Sequence, residues 1–161
     1  MTALLTWNIN MQAIPDKMSF YTHLERLQPG WLLGMNGLTE LAGLRGRLTN
    51  TQLIHRWKME PPPGGTHPDN DDNPMTLTPE EWVARRNRNL SEAGLKPGDV
   101  WLYTNNESGH SDALLRWLQR VIEIAIPQGH RLVVYNGSVG TPGPDPVLEW
   151  SKPEAKKLLE L

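Results

Sequence analysis

Glu107 is the residue whose type and position best suit acid–base chemistry. It closes the stretch "VWLYTNNE" (residues 100–107), where an apolar run gives way to Asn105, Asn106 and Glu107. A carboxyl group at the tip of a buried strand, beside aromatic surface, loses solvation, and desolvation raises its pKa. A general acid working near neutral pH needs that shift. Asn106 can orient a substrate hydroxyl, because a side-chain amide both donates and accepts. The competing reading makes Glu107 a cap for the helix that begins near Ser111, and the residues alone leave both open.

Similar residues close the other apolar runs. The first ends in Trp7, Asn8 and Asn10, the second in Asn36, and the third in His55, Arg56 and Trp57. The last gives Tyr135, Asn136 and Ser138. A single Asn at such a place serves turns and caps for backbone reasons. As a set, these residues collect hydrogen-bonding and aromatic groups at one end of every strand. In parallel α/β folds that end carries the site. The candidate binding residues are therefore Trp7, Asn8, Asn36, His55, Trp57, Asn105, Asn106, Tyr135 and Asn136, with Glu107 as the candidate catalytic group.

Short apolar runs and helical stretches alternate to position these residues. Strands are expected over Ala3–Ile9, Trp31–Asn36, Thr51–Trp57, Val100–Asn105 and from Arg131 into the Gly-rich "NGSVG". Phe20, Leu24 and Leu27 share one helical face. Leu38, Leu41, Leu44 and Leu48 share another, in a helix weakened by Gly43 and Gly46. Thr78, Pro79 and Glu81 form a capping-box start for a helix that stops at Gly94. Leu114, Trp117, Leu118, Val121, Ile122 and Ala125 make a broad apolar stripe. Ser151 and Glu154 suggest a second capping box before the final short helix.

Five strand–helix units in strict alternation imply an α/β fold with a parallel sheet and right-handed crossovers. The 161 residues suit one domain. Within it, Lys58–Leu77 is a long loop with five prolines and no periodicity. The alternative arrangement is an open, flavodoxin-like sheet of five strands.

Composition narrows the chemistry. There is no cysteine, so disulfides and thiolate catalysis are excluded. The net charge of −2 gives no electrostatic case for nucleic acid or an anionic membrane. His55, His67, His110 and the Asp69–Asp72 run match no compact metal motif. Gly137–Gly143 lacks the GxGxxG and P-loop patterns, so no nucleotide cofactor is expected. The Arg85–Asn89 run reads as a solvated helix face. The start, "MTALLTWNINM", has neither a basic n-region nor a long apolar core, so no signal peptide is expected. No window is apolar enough to span a bilayer, which leaves a cytoplasmic location as the default expectation. Seven Trp against one Phe suit the stacking of sugars, although Trp also fills cores.

"YTNNES" (residues 103–108) resembles the fourth-strand motif of the large glycoside hydrolase clan built on TIM barrels. There the strand ends in Asn-Glu, commonly followed by Pro. The resemblance implies that Asn106 contacts the sugar 2-hydroxyl and that Glu107 is the acid/base. Ser108 replaces the usual Pro. "NGSVGTP" after the fifth strand is also similar to glycosidase-like barrels. The implied fold is a partial TIM barrel of five units, acting on or binding carbohydrate. A full barrel has eight units in about 250 residues. The family's nucleophile lies at the seventh strand, and the remaining acidic candidates, Glu60, Asp69, Asp71 and Asp72, sit in the long loop. The expectation is therefore a catalytically incomplete barrel, or one closed by self-association or partner chains that cover its edges. A non-catalytic carbohydrate-binding or assembly subunit is the alternative.

Overall fold

The computed structural model describes residues 6–10, 14–35, 37–57, 74–104, 111–134 and 151–159. Five strands form one sheet: β1 (Thr6–Asn10), β2 (Trp31–Met35), β3 (Gln52–Arg56), β4 (Trp101–Tyr103) and β5 (Arg131–Val133). Every neighbouring pair is parallel, and the spatial order is β1-β2-β3-β4-β5. Between and after them come α1 (Lys17–Leu27), α2 (Leu38–Leu44), α3 (Pro79–Glu92), α4 (Asp112–Ala125) and α5 (Pro153–Leu159). The chain is thus an α/β protein with alternating elements and a parallel sheet. A flavodoxin-like sheet has the order 2-1-3-4-5 and winds in both directions. The consecutive order found here overturns that alternative.

When every crossover steps the same way and is right-handed, all helices fall on one face of the sheet. The burial pattern follows. Register pairs Leu32 with Leu53, and His55 with Leu102. Leu32, Leu53 and Leu102 join the main apolar cluster with Leu24, Leu41, Trp82, Leu90, Leu114 and Leu118 from the helices. The alternate residues of the same strands, Ile54 and Tyr103, are buried yet lie outside that cluster. Each fully buried leucine contributes about 2 kcal/mol of apolar transfer.

Local chemistry explains the helix ends. Thr78 Oγ1 accepts from Glu81 N at 3.2 Å, while the Glu81 carboxylate accepts from Thr78 N at 2.9 Å. Pro79 begins α3, where its missing N–H costs nothing. Ser111 Oγ caps α4 by accepting from Leu114 N at 3.1 Å. α4 buries Leu114, Leu115, Trp117, Leu118, Val121, Ile122 and Ala125, the whole expected stripe. Trp117 Nε1 donates to Leu77 O at 2.8 Å, and its ring meets Trp82 edge-on at 6.0 Å. These contacts lock α3 to α4. Between α3 and β4, Gly98 has φ +88°, and a Cβ there would lie 3.0 Å from Gly129 O. Only glycine fits that crossing of two turns.

Several boundaries differ from expectation. α2 stops at Leu44 and turns through Arg45–Arg47, as its glycines favour, yet Leu48 still buries. The strands are shorter than the apolar runs: β4 and β5 hold three residues each. At α5 the Glu154 carboxylate accepts from Gln119 Nε2 at 3.2 Å and from Lys157 Nζ. It ties α5 to α4 through Gln119.

Candidate functional site

Parallel strands in consecutive order bring all five C-terminal ends to one edge, with the exit of β4 between those of β3 and β5. Thr104 follows β4 and is fully buried. Its backbone N–H and its Oγ1 both donate to Val133 O, each at 3.2 Å. This double bond to β5 fixes the point from which the chain leaves the sheet. Seven residues later, Ser111 caps α4. The six residues between these anchors carry Asn105, Asn106 and Glu107. A segment held at both ends loses less entropy on ordering than a free loop does.

Asn36, Asn105, Asn106, Glu107, Tyr135 and Asn136 themselves lie outside the described residues. The backbone of β1 pairs Trp7 with Leu32 and Asn8 with Leu33. His55 and Trp57 are described, and their surroundings differ from an open cleft. His55 is only 2% exposed and shares the helix-covered face with Leu53 and Leu102. Its ring lies 5.3 Å from that of Trp57, which is also packed against the core. Above them the Arg86 guanidinium of α3 sits 5.6 Å from the Trp57 ring and 5.0 Å from the Trp82 ring.

The electrostatics of this cluster are one-sided. Burial, and secondarily the charge of Arg86, push the His55 imidazole down to about 3. His55 is therefore neutral at physiological pH. Its Nε2 has no hydrogen-bond partner among the described residues. A neutral, buried imidazole set edge-on against Trp57, with the Arg86 charge near it, is held as part of the helix–sheet packing.

Sequence reasoning missed Arg86. The run containing it was expected to face solvent, but Arg86 is 3% exposed between two indoles. The signal was present: Trp82, Arg86 and Leu90 stand four residues apart and define one helical face. Arg56, at the end of β3, is also largely buried, and its Nη1 lies 3.6 Å from Met35 Sδ.

No group of three or more His, Asp or Glu side chains is arranged to hold a metal among the described residues. No described helix is long and apolar enough to cross a membrane. Comparison with known proteins gives no match: no family model, no curated protein and no solved structure resembles the chain significantly.

Proposed function

We propose that the chain is a carbohydrate-acting α/β domain of glycoside hydrolase type, with Glu107 as its acid/base. Asn106 contacts a sugar hydroxyl beside the scissile bond. The single observation that carries the reading is the anchoring of the "NNE" segment. Thr104 ties its start to β5, Ser111 ties its end to α4, and it emerges from the middle of a row of parallel strand exits. The consecutive strand order is also the order in which barrel strands follow one another. In this reading the five units are part of a barrel whose sheet edges are covered by a second copy or another chain.

Hydrolysis requires a second carboxyl group, about 5–5.5 Å away for retention or about 6.5–9.5 Å for inversion. Among the described residues none stands at a strand exit: β2 ends at Met35, β3 at Arg56 and β5 at Val133. That favours, as a second reading, a domain that binds sugar without cleaving it. The two readings part in one experiment. A panel of aryl glycosides is offered to the wild type and to Glu107→Gln, and binding of the matching free sugars is measured in parallel by calorimetry. Turnover lost in Glu107→Gln supports the enzyme. Binding without turnover supports the second reading. Turnover equal in both proteins removes Glu107 from the chemistry, and neither binding nor turnover removes carbohydrate altogether.

A further inference from the structure

At the opposite end of the sheet, where the strands begin, lies a groove that owes nothing to Glu107. Its volume is about 430 Å³, and Gly30, Trp31, Thr49, Asn50, Thr51, Gln52 and Trp101 line it. That volume suits a small ligand. The groove opens on the face of the sheet that bears none of the described helices. Trp31 is in register with Gln52, and Trp101 with both Ile54 and Arg131. These residues thus share one face, at the first turn of the pleat in β2, β3, β4 and β5.

Three features make this a built recess. The Trp31 and Trp101 rings meet edge to face, with centroids 5.1 Å apart at 88°. Both indoles are only partly buried, so apolar ring surface is left to the groove. Two of its lining residues each carry a polar atom, Thr51 Oγ1 and Trp101 Nε1, that is shielded from solvent and has no hydrogen-bond partner among the described residues. An unpaired buried polar group costs about 1–3 kcal/mol, and a ligand that satisfies it recovers that cost. The exposed Arg131 guanidinium stands 6.0 Å from the centre of the Trp101 ring. Among the described residues no acidic side chain lines the groove.

The chemistry of the occupant follows from this inventory. Indole surface accepts the C–H edges of a saturated ring, because the ring face is negative. The indole N–H donates only, and the threonine hydroxyl and the Asn50 and Gln52 amides donate or accept, which matches ring hydroxyls. The Arg131 guanidinium beside Trp101, with no carboxylate paired to it among the described residues, selects a planar anion that it can hold with two parallel bonds. We propose that this groove binds a hydroxylated ring bearing a carboxylate, namely a uronic acid residue of a glycan. Trp31 and Trp101 supply the stacking surface, Thr51 Oγ1 and Trp101 Nε1 the hydroxyl contacts, and Arg131 the carboxylate contact.

The test is a titration of the whole protein with the disaccharide of galacturonic acid, followed by the indole N–H resonances in a ¹H–¹⁵N spectrum. Trp101→Phe identifies the Trp101 signal. The expected result is saturable movement of that signal, with a Kd on the order of 1 mM. Arg131→Gln should weaken binding roughly tenfold, as loss of a charge-assisted contact does. Thr51→Val weakens it less. Glu107→Gln binds as the wild type does, which separates this groove from the other end of the sheet. No movement of the Trp101 signal, equal movement with cellobiose, unchanged affinity in Arg131→Gln, or loss of binding in Glu107→Gln would each overturn the assignment.

Discussion

On the helix-covered face of the sheet, Leu32, Leu53 and Leu102 are buried beneath five helices, and even a histidine and an arginine are sealed in. On the other face the same strands present Trp31, Leu33, Met35, Trp101 and Val133 only partly buried, with Arg131 exposed at the edge, although Ile54, Arg56 and Tyr103 are buried there too. Parallel strands covered on both faces read as unbroken apolar runs, and β4, Trp-Leu-Tyr, has that composition. The helix-free face is therefore apolar enough to want a cover and open enough to accept one. Stability resides on the first face, and the capacity to bind on the second.

Truncating one leucine on each face breaks or confirms this division most sharply. Leu118 of α4 is fully buried in the main cluster. Leu118→Ala should cost about 3–5 kcal/mol, the transfer loss plus the cavity left behind. Leu33→Ala, on the helix-free face, should cost about 1 kcal/mol, because the side chain is only partly buried. Urea unfolding measures both. Equal losses would mean that the second face is as well sealed as the first.

His55 gives the next largest effect. Its folded pKa of about 3 lies below the ordinary value of 6.5. Below pH 6.5 the unfolded chain takes up a proton that the folded chain refuses, so stability falls as pH falls. The loss continues until pH reaches the folded value near 3 and then stops. Between pH 6.5 and pH 4 it amounts to about 3 kcal/mol. His55→Leu should remove this slope from the pH dependence of the urea midpoint. A variant that keeps the full slope would show that His55 is not the group responsible. His130, also pushed down by burial, acts in the same direction and leaves a smaller remainder.

Much of this division was legible in the chain. The alternation of apolar runs and helical periods gave the parallel α/β class, and Thr78-Pro79-Glu81 gave the start of α3 to the residue. What was not legible was which face each residue would take. His55 and Arg56 are neighbours and both polar, so they read as one cluster at a strand tip. Strand geometry sends them to opposite faces. Arg86 was hidden by its company: amid Arg85, Asn87, Arg88 and Asn89, its cation outweighed the helical spacing that links it to Trp82 and Leu90. The consecutive strand order was equally out of reach, because alternation fixes parallel pairing and leaves neighbour choice open. Glu107, the residue on which the proposed chemistry turns, was readable only as motif and position.

Thr78→Ala refines the picture by acting on the cover of the first face without touching its core. It removes one side of a reciprocal cap and frees the Glu81 N–H at the start of α3, while the backbone N–H of residue 78 keeps its bond to the Glu81 carboxylate. The loss should be about 1 kcal/mol. Because Trp117 Nε1 holds Leu77 O directly before the cap, fraying should stay within the first turn. Hydrogen exchange at Glu81 and Trp82 should quicken, while exchange in α4 stays unchanged. Spread of the effect into α4 would show that the Leu77 anchor depends on the cap.

Arg131→Gln should have the smallest effect on stability, and for that reason it is the most discriminating. Arg131 is exposed on the helix-free face, and its only described partner is the ring of Trp101. Exposed cation–ring contacts are weak, so the urea midpoint should stay within experimental error of the wild type. Arg86→Gln makes the same chemical change on the other face, where the guanidinium lies between two indoles and out of water. There the midpoint should fall clearly, since the stem and the planar head both fill space that a shorter amide leaves empty. Two arginines that each lie over tryptophan thus predict opposite outcomes, and the difference comes only from the face of the sheet on which each one lies. If Arg131→Gln also lowers the midpoint, its side chain is doing structural work, and the helix-free face is closed in solution by something that Arg131 helps to hold.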